Sequence, residues 1–467
     1  MKNIKARFLF DGEKYLNDVQ DIPRAFSPYL VIDNEEEGFL SVDYSYEKGV
    51  FSCVLKSSFE HEVNGSFSIS NDDTLTYKKK TKSFIKNMLY DYISKFLAIK
   101  LPYGSLTGVR PTKLYNELLD TQKNAFRTLI EDYRVSEDKA KLIKMTCEVQ
   151  NGIRIKDKRY CNIFVNIPVC PTRCNYCSFI SSEVERVRPL LSAYTESVKK
   201  ELKKIKSFIA KKDLTVRSIY VGGGTPTCIG KEYLSNILQE LKDIKAEFTV
   251  EAGRPDTIDE EILQVMKDNN VTRISVNPQS FNQKTLDLIG RRHSVEDVYH
   301  AVEKAKKYGF VINMDIIALL QGESLTDFQN TVDKALDTNV ENITVHTLSI
   351  KRGADISKTK KQNFGLASEM VSYAHKKLIK DEYRPYYLYR QKNIADNLEN
   401  TGFAKEGFEC LYNIDIMEET IDILGAGAGA MSKYLYDNNR IERFFNPKGI
   451  KEYIERIEEI LCKKTFY

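Results

Sequence analysis

Apolar and polar residues alternate in three stretches near the start of the chain, KARFLF, GFLSVDYSY and GVFSCVLKSSF, which Asp, Asn, Glu and Gly separate. A period of two predicts half-buried strands over residues 1 to about 65. The period then lengthens. KSFIKNMLYDYISKFLAI repeats its apolar residues at i, i+3, i+4 and i+7, the spacing of an amphipathic helix. Helical spacing continues from 80 to 148, interrupted by the Gly/Pro segment LPYGSLTGVRPTKL. Residues 1–150 are expected to form an α+β domain of their own, of unknown role.

From Cys161 short apolar strands alternate with amphipathic helices. Strands are predicted at Asn162–Pro168, Ser218–Gly222, Glu247–Ala252, Arg273–Asn277, Val311–Ile317 and Asn342–Thr347. Helices are predicted near Leu190–Ala210, Lys231–Ile244, Asp259–Asn269, Val295–Tyr308, Leu325–Thr338 and Ala367–Lys380. Six β-α units in series make an α/β fold: a partial (β/α)6 TIM-like barrel over 160–382, with chemistry expected at the C-terminal ends of its strands. After about residue 383 the pattern loosens, and 383–467 reads as a C-terminal extension near the barrel mouth. Its segment ILGAGAGAMS is expected either to line a pocket with backbone or to make a tight strand-to-helix turn. A charged helix is expected over Lys448–Lys463.

The chain has 467 residues, 42% hydrophobic and 29% charged, with a net charge of +4 and both signs mixed throughout. That balance suits a core plus a solvated surface and gives no footprint for nucleic acid. There is no apolar run of membrane-spanning length and no signal-peptide pattern at the N-terminus, so a cytoplasmic location is expected. Thiols stay reduced there, and nine cysteines do not pair off completely.

Four of the nine lie within CNIFVNIPVCPTRCNYCSFI. Cys170, Cys174 and Cys177 form C-x3-C-x2-C. Three thiolates on one loop can ligate three irons of a [4Fe–4S] cluster and leave the fourth open. A structural zinc site would need a fourth ligand, usually from a second C-x2-C half, and none is present. A redox pair at Cys174–Cys177 would leave Cys170 unexplained. Cys161 lies about 25–30 Å of extended chain from Cys170 and reads as a buried apolar cysteine.

C-x3-C-x-aromatic-C, with Tyr176 as the aromatic, resembles the radical S-adenosylmethionine (SAM) superfamily. The resemblance implies a [4Fe–4S] cluster on Cys170, Cys174 and Cys177, which are then also the catalytic residues. It implies SAM on the open iron and a 5′-deoxyadenosyl radical made by reductive cleavage. Other motifs agree with it. VGGGTPT resembles the superfamily's Gly-rich segment for the SAM amino group, Gly222, Gly223, Gly224 and Thr225. Tyr176, Glu251 in FTVEAGRP, Gln279 in SVNPQSFN, Arg291 in LIGRRH and Asp315 in VINMDII occupy positions that contact SAM in the family.

NIPVCPTRCNYCSF, GGGTPT, EAGRPD and NPQSFN are similar to the oxygen-independent coproporphyrinogen III oxidase group. The extra N-terminal domain, with GSLTGVRPTKL, PYYLYRQKN and NLENTGF, is most like its coproporphyrinogen dehydrogenase subgroup. What this implies is oxidative decarboxylation of coproporphyrinogen III to protoporphyrinogen IX. One or two SAM molecules and a reduced flavodoxin or ferredoxin-type electron donor would serve it. The chain departs from the group at Phe179, where a further cysteine is usual, and at Phe164, where a tyrosine is. Tyr386, Tyr387, Tyr389 and Arg390 are candidates for the missing polar contact or for substrate carboxylates. Two other readings share these motifs: a haem-binding chaperone, although Tyr412 stands where that family's His-Asn pair has its histidine, and an anaerobic haem-degrading methyltransferase.

Overall fold

The computed structural model describes residues 4–10, 13–27, 29–33, 36–68, 74–121, 124–179, 181–349, 365–392, 394–436 and 440–464. They divide into two compact units, Met1–Lys144 with Asp396–Leu398, and Met145–Ala395 with Glu399–Tyr467.

The first unit carries a five-stranded sheet of order β2-β1-β3-β4-β5: β1 Ile4–Phe10, β2 Leu30–Ile32, β3 Phe39–Glu47, β4 Val50–Ser57 and β5 Val63–Ser68. β1 runs parallel to both neighbours, and β3, β4 and β5 form an antiparallel meander. The alternation in GVFSCVLKSSF becomes buried Phe51, Cys53 and Leu55 on one face of β4. The helix Thr74–Leu97 covers that face, with Ile85, Leu89 and Ile93 in the core and Phe84 edge-on to Phe51.

The second unit is built on one eleven-stranded sheet of order β14-β15-β13-β12-β11-β10-β9-β6-β16-β17-β18. Its middle is six parallel strands, β6 Tyr160–Ile167, β9 Thr215–Gly223, β10 Glu247–Val250, β11 Arg273–Ser275, β12 Val311–Ala318 and β13 Asn342–Thr347. Two-residue strands β7 (Val169–Cys170) and β8 (Ser182–Glu183) pair beside it. The six strands match the predicted ones within a few residues, and the α/β (β/α)6 architecture stands. Three of the connecting helices start at a side-chain cap: Asp259 accepts from Ile262 N, while Ser294 with Asp297 and Ser324 with Asp327 close capping boxes.

Residues 383–467 add strands to both sides of the same sheet. β14 (Arg384–Tyr389) and β15 (Asn400–Ala404) continue it beyond β13, antiparallel, and β16 (Asp422–Ala426) lies parallel to β6. β17 (Met431–Leu435) and β18 (Ile441–Phe445) follow. ILGAGAGAMS therefore turns strand to strand, not strand to helix. A Cβ on Gly425 would sit 2.8 Å from the Met431 carbonyl oxygen, and Gly427 has φ +96°, so glycine is needed for β16 and β17 to close together. The expected helix over Lys448–Lys463 is two helices, Ile450–Glu455 and Ile457–Lys463. Among the described residues, no helix is long and apolar enough to cross a membrane.

Candidate functional site

The C-terminal ends of the parallel strands open onto a cavity of 760 Å³. Cys170, Cys174 and Cys177 line it with Tyr176, Gly223, Gly224, Thr225, Glu251, Gln279, Arg291 and Asp315. Of the twelve residues assigned to the cluster and SAM, only Gly222 is not on the wall. It backs the wall instead, since a Cβ there would meet the Glu251 carboxyl at 2.8 Å.

The cysteine loop leaves β7 and is pinned from three sides. Asn175 gives its backbone N–H to Ile289 O at 3.2 Å and its side chain to Leu288 O at 2.8 Å. Arg254, buried after β10, donates to Thr172 Oγ1 at 3.0 Å and lies 3.9 Å from Cys174 Sγ. Asp256 holds that guanidinium from behind with two bonds of 2.9 Å. Thr225 Oγ1 reaches Cys170 Sγ at 3.8 Å. Arg291 joins Tyr176 OH at 3.1 Å to Asn277 O at 2.6 Å, tying the loop to the end of β11. Burial raises the Cys170 and Cys177 thiols above their ordinary range. Bound iron reverses that, because the cation stabilises the thiolate directly. Among the described residues, no three Cys, His or carboxylate groups close on a single metal ion. A [4Fe–4S] cluster takes one thiolate per iron, so its thiols are spread around it.

The Gly-rich end of β9 is crowded. A Cβ on Gly224 would stand 2.4 Å from Val169 O. Backbone is thereby exposed to the cavity where any side chain would collide. Glu251 stands at the end of β10 and accepts from Tyr220 OH at 2.6 Å. Burial pushes its carboxyl up to about 7, against hydrogen bonds from Tyr220 and the Gly223 N–H, and with Asp315 adding to the rise. Asp315 lies 3.5 Å from His346 Nε2. Gln279, at φ +69°, carries a buried Oε1 without a hydrogen-bond partner among the described residues. Three thiols with nearby donors, a side-chain-free cradle, an orphaned acceptor and a buried carboxylate fit a [4Fe–4S] cluster with a polar, amino-bearing cofactor.

Aromatic rings also line the cavity. Phe164 on β6, Tyr220 on β9 and Tyr412 on the helix Leu411–Glu418 stack, with Tyr220 and Tyr412 centroids 4.4 Å apart at 20°. Asp415 fixes that helix beneath the sheet, accepting from Arg217 Nε at 2.9 Å and Asn162 Nδ2 at 3.0 Å. Tyr387 and Tyr389 stack at 6.2 Å and line the cavity, Tyr387 bonded to Thr344 and Tyr389 facing His346.

Tyr386 packs in the core and bonds Asn413, while Arg390 is buried and does not line the cavity. Two of those four candidates thus lie away from the site. Cys161 is buried in β6, as expected, with its thiol up at about 12 from burial. Tyr220, Arg254, Asn277 and His346 were not singled out in the sequence. Arg254 had a signal: a charged residue directly after a buried strand, in EAGRPD. Tyr220 had none, since a tyrosine in a strand reads as core.

A pattern for the radical SAM superfamily matches residues 166–335. The oxygen-independent coproporphyrinogen-III oxidase-like protein HemZ of Bacillus subtilis (strain 168) is 37% identical over 452 residues, 90% of either chain. The heme chaperone HemW of Lactococcus lactis subsp. lactis (strain IL1403) is 30% identical over 319 residues, 65% of this chain and 78% of its own. Among solved structures, the coproporphyrinogen III oxidase HemN of Escherichia coli, a radical SAM enzyme, superposes with a TM-score of 0.53 at 20% identity. The match covers 68% of this chain and 73% of that one, and it is a likeness of fold.

Proposed function

The chain belongs to the radical SAM superfamily, in the group of oxygen-independent coproporphyrinogen-III oxidase-like proteins, and on that premise we propose that it oxidatively decarboxylates a tetrapyrrole, coproporphyrinogen III, to protoporphyrinogen IX. The observation that carries this reading is one cavity lined both by the three cysteines with Gly-rich backbone and by stacked aromatic rings. Membership implies a [4Fe–4S] cluster and SAM as cofactors; when bound, they supply one-electron reduction and hydrogen-atom abstraction.

The chain's own residues bind and orient. Cys170, Cys174 and Cys177 hold the cluster, with Arg254 and Thr225 beside the sulfurs of Cys174 and Cys170. Gly223 and Gly224 offer bare backbone to an amino group. Glu251 and Asp315 accept from hydroxyl or ammonium groups, and Gln279 and the Arg291–Tyr176 pair complete the SAM contacts. Tyr412 and Tyr220 take the flat face of pyrrole rings. Arg173 and Lys448, on the cavity wall, are the cations for propionates, in place of Arg390. The carboxyl groups of two propionates would leave as CO2, the remaining carbons would become vinyls after hydrogen abstraction, and one electron per site would pass to an external acceptor, with a flavodoxin or ferredoxin-type protein as the electron donor. The protein works in the cytoplasm.

The test is anaerobic turnover of reconstituted protein with SAM, a reductant and coproporphyrinogen III, followed by mass spectrometry. Loss of two CO2 with matching 5′-deoxyadenosine, absent in Cys174→Ala, is expected. Deoxyadenosine without decarboxylation would overturn the substrate but not the chemistry. A second reading, haem binding by the same cavity, is favoured by Tyr412 and Met417 on its wall, an oxygen and a sulfur donor for iron. A haem titration with a stoichiometric absorption shift abolished by Tyr412→Phe would favour it.

A further inference from the structure

Phe164 and Tyr220 are direct cross-strand partners on β6 and β9. Both rings line the cavity, but only Tyr220 carries a hydroxyl. That hydroxyl donates to Glu251 Oε1 at 2.6 Å, one strand further along the sheet. Burial raises the Tyr220 phenol well above its ordinary range, so it stays protonated and acts as the donor. Its ring has little freedom. Tyr412 stacks on it at 4.4 Å and Phe164 lies at 6.4 Å. Gly222 passes so close that a Cβ would fall 2.8 Å from the Glu251 carboxyl carbon and 2.9 Å from the Tyr220 ring.

We propose that Tyr220 is a positioning residue that holds Glu251 as an ionised acceptor on the cavity wall, ready for a hydroxyl or ammonium group of the adenosylated cofactor. This rests on the reading of the cavity as the SAM site. The other groups bearing on Glu251 act in opposing directions. Asp315 from β12 disfavours its charge, and His346 from β13 favours it. The Gly223 N–H also supports the charged form, and Tyr412 from the Leu411–Glu418 helix brings a phenol alongside. Asp315 and His346 lie 3.5 Å apart, and Asp315 weighs more on Glu251 than His346 does, so this pair leaves the charge disfavoured. Tyr220 therefore supplies the short, fixed bond that favours the carboxylate. A hydrogen bond to a charged group typically shifts such a balance by about one pH unit or more.

The test uses the full chain, reconstituted anaerobically, as wild type, Tyr220→Phe, Glu251→Gln and the double variant. S-adenosylhomocysteine binding is measured by calorimetry from about pH 6 to about pH 9, around the Glu251 titration. Tyr220→Phe is expected to move the acid limb of binding upward by about one pH unit. Affinity then falls about fivefold to tenfold near pH 7 and converges with wild type at high pH. Glu251→Gln and the double variant should show neither limb nor shift. Infrared spectra should show more protonated carboxyl at pH 7 in Tyr220→Phe than in wild type, and the excess should vanish in the double variant. A Tyr220→Phe profile that superimposes on wild type, or is weaker by one factor at every pH, would overturn the proposal. Iron content is read in parallel. Wild-type protein that holds its cluster but binds no S-adenosylhomocysteine would overturn the reading of the cavity, and the infrared titration would still decide whether Tyr220 controls the proton on Glu251.

Discussion

The guanidinium of Arg254 lies 3.9 Å from the sulfur of Cys174, with both residues buried and Asp256 holding the arginine from behind. A fixed cation beside a thiolate stabilises the ligand and raises the potential of the cluster it serves. Arg254→Gln is expected to lower iron per chain after reconstitution and to shift the cluster's midpoint potential downward. Iron analysis and a redox titration followed by EPR check this. Unchanged iron and potential would reduce Arg254 to a partner of Thr172.

Gly224 is held against the strand that ends in Cys170. A methyl group there would overlap Val169 O at 2.4 Å and Val169 N at 2.7 Å. Backbone cannot step aside as a side chain can. Gly224→Ala is expected to displace β7 and to lose most of the cluster on reconstitution. Gly108→Ala, where the nearest atom is 3.7 Å away, is the control and should load like wild type.

The Tyr412 ring stacks at 4.4 Å on Tyr220 and is the flat wall proposed for the substrate. An aromatic pair contributes about 0.5–1.5 kcal/mol beyond buried area. Tyr412→Leu is therefore expected to weaken binding of coproporphyrin III about threefold to tenfold. Tyr412→Phe keeps the stack and should change it by less than about twofold. Fluorescence quenching titrations measure both.

Glu323 is buried and accepts from Ser280 Oγ at 2.5 Å, in the turn that follows Gln279. Burial raises its carboxyl from 4.5 to about 7, against hydrogen bonds from Ser280 and Thr285. An acid whose folded pKa lies above its unfolded one favours the fold at low pH. That contribution is lost as pH rises from 4.5 to about 7. The loss is on the order of 3 kcal/mol. Glu323→Gln lacks this titration, so its stability relative to wild type should rise between about pH 5 and about pH 8. Thermal melts at the two pH values check the sign, and a constant difference would contradict it.

The barrel strands and their helices were legible because local periodicity suffices for them, and caps that played no part in that reading reinforce several of the helix starts. Ser294 and Ser324 stand three residues before an aspartate, and the helices begin there. The cysteine loop was legible because three ligands lie within eight residues of one another. ILGAGAGAMS was misread in part, since a glycine turn looks alike whether a helix or a strand follows. Only the pairing of Ile423 with Lys433 resolves it.

The sequence by itself determined the order of β-α units, the C-x3-C-x2-C loop and the Gly-rich segment after the second strand, all of them encoded by neighbours along the chain. Tertiary structure decided what each buried polar group faces. It set Tyr220 on Glu251, Arg254 beside Cys174, Tyr412 against Tyr220 and Arg390 off the cavity wall. The reason is physical. Contacts between residues 31, 80 and 192 positions apart depend on strand register and sheet order, and burial then sets each group's proton and partner.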